Sequence, residues 1–257
     1  AVETIEGSLL ELYRNYGRSP YAELEDRPEM LRLTTGIPLP AFNAVVGTQI
    51  DEGKVDESIE ATQDHFGARR VPVMWWTGPS TRPPDLERHL RRHGFALAQE
   101  MPGMAADLLA LPSGPAGPPG LTIEYVADVD GLAQWSYVLS RGFDIPEPIG
   151  QAIFELEQSL GFAHERWRRY LGLLEGEVVA GSALLLGAGV AGIYNVATRP
   201  GFRRRGLGTA LTLEALLDGR RLGYRIAILH ASPPAVGLYR RLGFREYCRV
   251  GQYVWGR

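Results

Sequence analysis

Hydrophobic positions recur at a helix period through Ile149, Ile153, Leu156 and Leu160, which predicts a helix over Glu147–Leu160. Upstream, Leu121–Val126 reads as a short strand and Asp128–Leu139 as a helix, with Asp128 placed to cap its first turn. Three apolar runs follow, Arg169–Leu174, Val178–Leu186 and Val190–Thr198, and Glu175-Gly176 supplies the turn between the first two. A helix is expected from about Gly206 to Leu222, a strand over Tyr224–His230, a short helix over Ala235–Leu242 and a closing pair of strands over Phe244–Trp255. Hairpins combined with a strand–helix–strand unit imply the α+β class, a mixed sheet with helices packed on it.

The first half shows a similar order. Helices are expected at Leu10–Tyr16, Val55–Phe66 and Pro84–His93, with strands at Met30–Thr35, Phe42–Thr48 and Val71–Thr77 and extended chain after Phe95. Three landmarks recur in the same order at similar spacing: Phe42-Asn43 with Tyr194-Asn195, Pro83-Pro84 with Pro233-Pro234, and Gly94-Phe95 with Gly243-Phe244. Ordered recurrence of this kind points to a diverged internal repeat. Between the halves lies Leu111–Gly120, with four prolines and three glycines in ten positions, which propagates neither helix nor sheet ladder. The expected organisation is therefore a domain over 1–110, a linker over 111–120 and a second domain over 121–257. Each would be a mixed, mostly antiparallel sheet flanked by helices.

Composition narrows the function. The 257 residues are 45% apolar and 22% charged, a globular balance. Lys and Arg number 27 against 30 Asp and Glu, so the chain lacks the basic excess of a general nucleic-acid binder, and no nucleic-acid partner is expected. The single cysteine, Cys248, excludes an internal disulfide framework and fits a reducing cytoplasm. The longest uncharged stretch, about Val178 to Tyr194, is too short and glycine-rich for a membrane span. No basic stretch followed by an apolar one opens the chain, so neither a signal peptide nor membrane attachment is expected.

The segment with most chemical content is Asn195–Thr209, a strand followed by an arginine- and glycine-rich turn and then a helix, with Arg203-x-x-Gly206-x-Gly208 at its centre. A helix start leaves backbone N–H groups unpaired and carries partial positive charge, which suits a phosphate or pyrophosphate. Gly206 and Gly208 let an anion approach the backbone, and Arg203, Arg204 and Arg205 add charge and fork-shaped donors. No Gly-x-x-x-x-Gly-Lys-Ser/Thr occurs, and Gly206-Leu-Gly208 lacks the third glycine of a dinucleotide fingerprint. By itself the segment says only that an anion binds.

A second motif adds specificity: Ser232-Pro-Pro-Ala235-Val-Gly-Leu-Tyr239-Arg-Arg-Leu-Gly243-Phe244. The two together resemble the GNAT superfamily of acyl-CoA-dependent N-acetyltransferases, strongly over 121–257 and weakly over 1–110. The whole resembles tandem members with one decayed copy. The resemblance implies acetyl-CoA as cosubstrate, bound through its pyrophosphate at Arg203, Arg204, Arg205, Gly206, Leu207, Gly208 and Thr209. It also implies pairing of the pantetheine arm with the splayed strand at Val196, Ala197 and Thr198, and contributes Ser232 to the cofactor side. Tyr239 corresponds to the general acid that protonates the leaving thiolate. Counting back from Gly-Phe, Tyr239 maps onto Leu90, and the first copy is acidic (Asp51, Glu52, Asp56, Glu57) where the second is basic. The first copy is therefore not expected to bind acetyl-CoA.

Other candidates are weaker. The strand Ile193–Val196 carries no carboxylate, which leaves His230, a water chain or a backbone carbonyl as proton acceptor. The acceptor, a small-molecule amine or peptide N-terminus, is expected near Arg141–Gly150 and a closing hairpin at Tyr247–Gln252, where Asp144, Glu147 and Glu155 would attract a cation. His89 and His93 are four residues apart on a helix, but no third ligand is evident, so no metal is expected. A cytoplasmic N-acetyltransferase is the reading, with a homodimer left open. A non-catalytic acyl-CoA-binding module and a transferase with another acyl donor are its alternatives.

Overall fold

A computed structural model describes residues 1–111, 117–162 and 165–256. Residues 112–116 of the expected linker lie outside the described residues. The chain forms two compact units: Ala1–Gly103 with Glu246–Arg257, and Met104–Arg245.

In the first unit, helix α1 (Val2–Tyr16) precedes strands β1 (Glu23–Arg27), β2 (Met30–Thr34) and β3 (Asn43–Val46), then α2 (Val55–Arg69), β4 (Val73–Thr77) and α3 (Leu86–Arg92). β1, β2 and β3 are antiparallel neighbours, whereas β3 and β4 run parallel, with Val45 opposite Trp75. The last strand of the chain, β11 (Arg245–Trp255), pairs antiparallel with β4, Tyr253 opposite Trp75. Tyr253 fixes it there: its ring is fully buried, its hydroxyl donates to Glu87 Oε2 at 2.7 Å, and it accepts from Arg91 Nη2 at 3.0 Å.

The expected division at 111–120 differs from these units at both strand ends. β5 (Ala96–Asp107) carries the chain out of the first unit at Gly103, and its last residues, Met104 and Ala106, pack in the core of the second. β11 in turn returns to the first. Phe244–Trp255 is thus one long strand and not a closing pair, so the expected hairpin at Tyr247–Gln252 does not form. β1 also escapes sequence reading, because Glu-Leu-Glu-Asp-Arg carries one apolar residue and no alternation to betray an edge strand.

The second unit begins its sheet with β6 (Leu121–Tyr125), followed by α4 (Val129–Gly142), α5 (Glu147–Ser159), β7 (Trp167–Leu174), β8 (Glu177–Gly187), β9 (Val190–Thr198), α6 (Leu207–Arg221), β10 (Ile226–His230) and α7 (Val236–Arg241). β6 to β9 form an antiparallel meander, and β10 adds in parallel beside β9. Asp128 caps α4 as its sequence position predicts, accepting from Gly131 N at 2.8 Å.

Two buried polar ties lock helices onto this sheet. Glu157 of α5 meets Arg169 of β7 at 2.6 Å, with their side chains 1% and 0% exposed. Asp218 of α6 accepts from Tyr170 at 2.7 Å and Arg168 at 2.9 Å, both on β7.

Candidate active site

Two local irregularities open the second sheet along β9. Pairing between β9 and β10 covers Ala191 and Gly192 and goes no further, so the strands diverge beyond them. On the other edge, Gly181 faces Ala197 and Ala183 faces Tyr194, which sets two residues of β9, Asn195 and Val196, against Ser182 alone. Asn195 takes a left-handed conformation (φ 53°), one that asparagine tolerates better than most residues. The bulge re-aims the backbone from Asn195 to Thr198, which sequence alone does not announce.

The chain leaves β9 through a 3₁₀ turn at Pro200–Phe202 and enters α6. Arg204 (φ 61°) and Gly206 (φ 81°) both adopt left-handed backbone, and a Cβ on Gly206 would meet nothing within 4 Å. Among the described residues, the backbone N–H groups from Arg204 through Thr209 donate to no protein acceptor; the first helical bond runs from Ala210 N to Gly206 O. Consecutive N–H groups around left-handed residues, at the positive end of a 15-residue helix, form a nest for an anion.

The arginines divide their roles. Arg203 donates to Gly142 O at 2.7 Å and Thr198 O at 3.3 Å, so its side chain ties the turn to α4 and β9. Arg205 reaches Gly201 O at 3.3 Å and lies over the Phe202 ring. All three side chains are exposed; Arg203 and Arg205 reach backbone carbonyls of the turn and its neighbours, and Arg204 makes no such contact among the described residues. Leu207 is 2% exposed with its side chain in the core, which leaves it only a backbone role at the surface.

The two sequence motifs meet at this point. A Cβ on Gly208 would lie 3.6 Å from Leu238 Cδ1 and 3.8 Å from Val196 Cγ1, so the start of α6, α7 and the bulged strand share one small space. Tyr239, beside Leu238, is 8% exposed and stacks edge-on against Phe244 at 5.9 Å. Burial pushes its phenol up to about 12, which keeps it protonated at neutral pH. Ser232 is exposed at the cap of the Pro233–Ala235 turn. His230 ends β10, and burial drives its imidazole down to about 4. A lowered imidazole is a weaker base toward an alkylammonium than an ordinary histidine.

The acceptor side predicted near Arg141–Gly150 coincides with a cavity of about 410 Å³ between α4 and α5. Glu147 and Arg141 line it. Asp144 and Glu155 are not among its lining residues, and Glu155 accepts from Gln151 at 3.0 Å.

The first unit offers an instructive contrast. There the space past the parallel pair β3–β4 is filled by its own chain. Arg82 N donates to Thr48 O at 2.9 Å, Ile50 N to Arg82 O at 3.0 Å, and Trp75 Nε1 to Thr48 Oγ1 at 2.9 Å. Its helix α2 begins with Asp56 and Glu57 where α6 begins with glycine and threonine. The Gly-Phe landmarks agree in detail: Phe95 N bonds Leu90 O and Phe244 N bonds Tyr239 O, each at 3.0 Å. The asparagine landmarks do not, since Asn43 is fully buried at a strand start and holds the 35–39 loop, whereas Asn195 sits in the bulge. His89 and His93 both reach Asp56 Oδ1, at 2.8 and 2.9 Å, and among the described residues no group of three or more such side chains could hold a metal. Among them, too, no helix is long and apolar enough to cross a membrane.

Comparison with known proteins places this geometry. Residues 135–244 match the model of the acetyltransferase (GNAT) family. A GCN5-related N-acetyltransferase from Kribbella flavida is similar over 99% of this chain and 95% of its own, at 18% identity and a TM-score of 0.74. A GCN5-related N-acetyltransferase from Sphaerobacter thermophilus covers 91% of this chain and 76% of its own, at 21% identity and a TM-score of 0.64. A tandem GNAT protein from the clavulanic acid biosynthesis pathway covers 93% and 84%, at 14% identity and a TM-score of 0.59. At such identities these structures establish the fold, an α+β arrangement of mixed sheet and flanking helices. No curated protein matches the chain in sequence.

Proposed function

We propose that this chain, whose residues 135–244 match the acetyltransferase (GNAT) family, is an acyltransferase of that family and that its second unit transfers acetyl from acetyl-CoA directly to a primary amine. The observation that carries the reading is the run of unpaired N–H groups from Arg204 to Thr209 beside a bulged, half-unpaired β9. The nest suits a pyrophosphate. The freed edge of Val196, Ala197 and Thr198 suits an extended arm that bonds like a strand, and Gly206 leaves open space for close approach.

Acetyl-CoA supplies a thioester whose carbonyl carbon is open to an amine and whose thiolate is a good leaving group. The chain's own residues do the rest. A backbone N–H near Val196 would hold the carbonyl oxygen as negative charge develops on it. The C–N bond forms as the C–S bond breaks, the phenol of Tyr239 gives its proton to the departing sulfur, and the amine's surplus proton passes to water. A phenol near 12 is reprotonated at once at neutral pH, which makes it a reusable acid. The first unit, its corresponding space closed by Arg82, Thr48 and Ile50, serves as a decayed copy without its own cofactor. An amine panel assayed for free coenzyme A, with hydrolysis as control, tests the transfer. Release that depends on amine is expected, and release equal to hydrolysis across the panel would remove the proposal.

A further inference from the structure

The cavity between α4 and α5 combines both signs of charge with an apolar wall. Its volume of about 410 Å³ lies in the range of small-molecule sites. Tyr137, Ile145 and Phe154 give the wall, and Ser136, Arg141 and Glu147 give the polar lining. Ser136 is 5% exposed, and its hydroxyl oxygen is buried with no hydrogen-bond partner among the described residues. Native structures seldom leave a buried hydroxyl unpaired, so this one asks for a ligand atom. Arg141 and Glu147 take part in no ion pair or hydrogen bond among the described residues, although they line one cavity. Elsewhere in this unit arginines find carboxylates, as Arg199 finds Glu177 at 2.7 Å and Arg221 finds Glu214 at 2.8 Å.

The cavity is firmly built and well placed. A Cβ on Gly150 would lie 2.5 Å from Ser140 Oγ, so α4 and α5 touch closely at one end of it. The Glu157–Arg169 pair holds α5 to the sheet. The last residue of α4, Gly142, sits where a Cβ would come within 2.9 Å of Ala197, on the freed part of β9. Tyr137 lies under the Arg199 guanidinium at 5.6 Å.

We infer that this cavity selects a zwitterionic acceptor of the free amino-acid type, an amine that also carries a carboxylate and an apolar side chain. Arg141 takes the carboxylate with its forked donors, and the Ser136 hydroxyl donates to the same group. Glu147 draws in the ammonium end, and Tyr137, Ile145 and Phe154 receive the side chain. The inference rests on the acyl-transfer reading of the neighbouring strand and turn, and it names the substrate class of that site.

The test is calorimetric binding of leucine, phenylalanine, their amides, 4-methylpentanoate, cadaverine and an amidated tripeptide, alone and with free coenzyme A present. Ligands that bind are then assayed for coenzyme A release from acetyl-CoA. The free amino acids should bind at least tenfold tighter than their amides or the deaminated acid. Arg141→Gln should erase the preference over amides, and Ser136→Ala should weaken amino-acid binding severalfold, both with an unchanged circular dichroism spectrum. Equal or tighter binding of cadaverine, the amides or the tripeptide, no binding by any member, or an unaffected preference in Arg141→Gln would each overturn the inference. Amino-acid binding without coenzyme A release would leave the site standing and remove the transfer reading. Release with cadaverine alone would do the reverse.

Discussion

Removing Glu157 should loosen α5 from the sheet by a predictable amount. Its Oε2 accepts from Trp167 Nε1 at 2.9 Å and from Arg169 Nε at 2.8 Å and lies 2.6 Å from Arg169 Nη2. The guanidinium also lies over the rings of Trp135 and Trp167 and donates to Gly161 O at 3.0 Å. Glu157→Ala leaves that cation buried without its counter-charge, at a cost of about 3–5 kcal/mol. Glu157→Met combined with Arg169→Met removes both charges and leaves neutral partners behind, among them the Trp167 N–H and two carbonyls, which costs about 1–3 kcal/mol. The double variant is thus the more stable of the two, by about 2 kcal/mol. Native-state amide exchange suits a chain of two units, because it reads local opening without a single global transition. Peptides covering α5 and β7 should lose protection in Glu157→Ala and regain part of it in the double variant. A loss under about 1 kcal/mol in the single variant, or a double variant as labile as the single, would refute the reasoning.

Other outcomes follow from the same contacts. Tyr239→Phe should lower kcat by about 10²-fold or more while acetyl-CoA affinity changes little; a normal kcat at saturating substrate removes Tyr239 from the chemistry. Gly142→Val would drive a side chain into Ala197 and the Thr198 backbone, so acetyl-CoA affinity should fall, whereas Gly201→Ala, with nothing within 4 Å, should leave it unchanged by the same titration. His230 is held below its unfolded value of about 6.5, down to about 4, so the unfolded chain binds the extra proton first. Stability should be complete above pH 6.5 and fall by up to about 3 kcal/mol as pH drops toward 4. His230→Gln should flatten that part of the pH profile in urea unfolding, and an unchanged slope would contradict the assignment.

The extent to which the sequence announced this molecule varies with the kind of contact. Elements built on local periodicity, such as α5 and β9, stand within a residue or two of their expected limits. Short motifs single out the turn at Arg203–Gly208 and the segment with Tyr239, and the structure sets Gly208 close to Val196 and to Leu238, the neighbour of Tyr239. Non-local choices were hidden. Nothing in Phe244–Trp255 says that one long strand will pair with β4, since Tyr253 finds Glu87 and Arg91 from far along the chain. The role of Arg203 as a brace depends on where the Gly142 carbonyl ends up. The unpaired Ser136 hydroxyl likewise looks like any serine on a helix until α5 packs beside it.

Titration of acetyl-CoA into the purified chain tests the central claim most directly. The account predicts one molecule bound per chain, and loss of at least a hundredfold in affinity in Gly206→Glu, which sets a carboxylate and a disfavoured left-handed side chain (φ 81°) into the nest. No heat with the folded chain, two molecules bound, or undiminished binding by Gly206→Glu would contradict it.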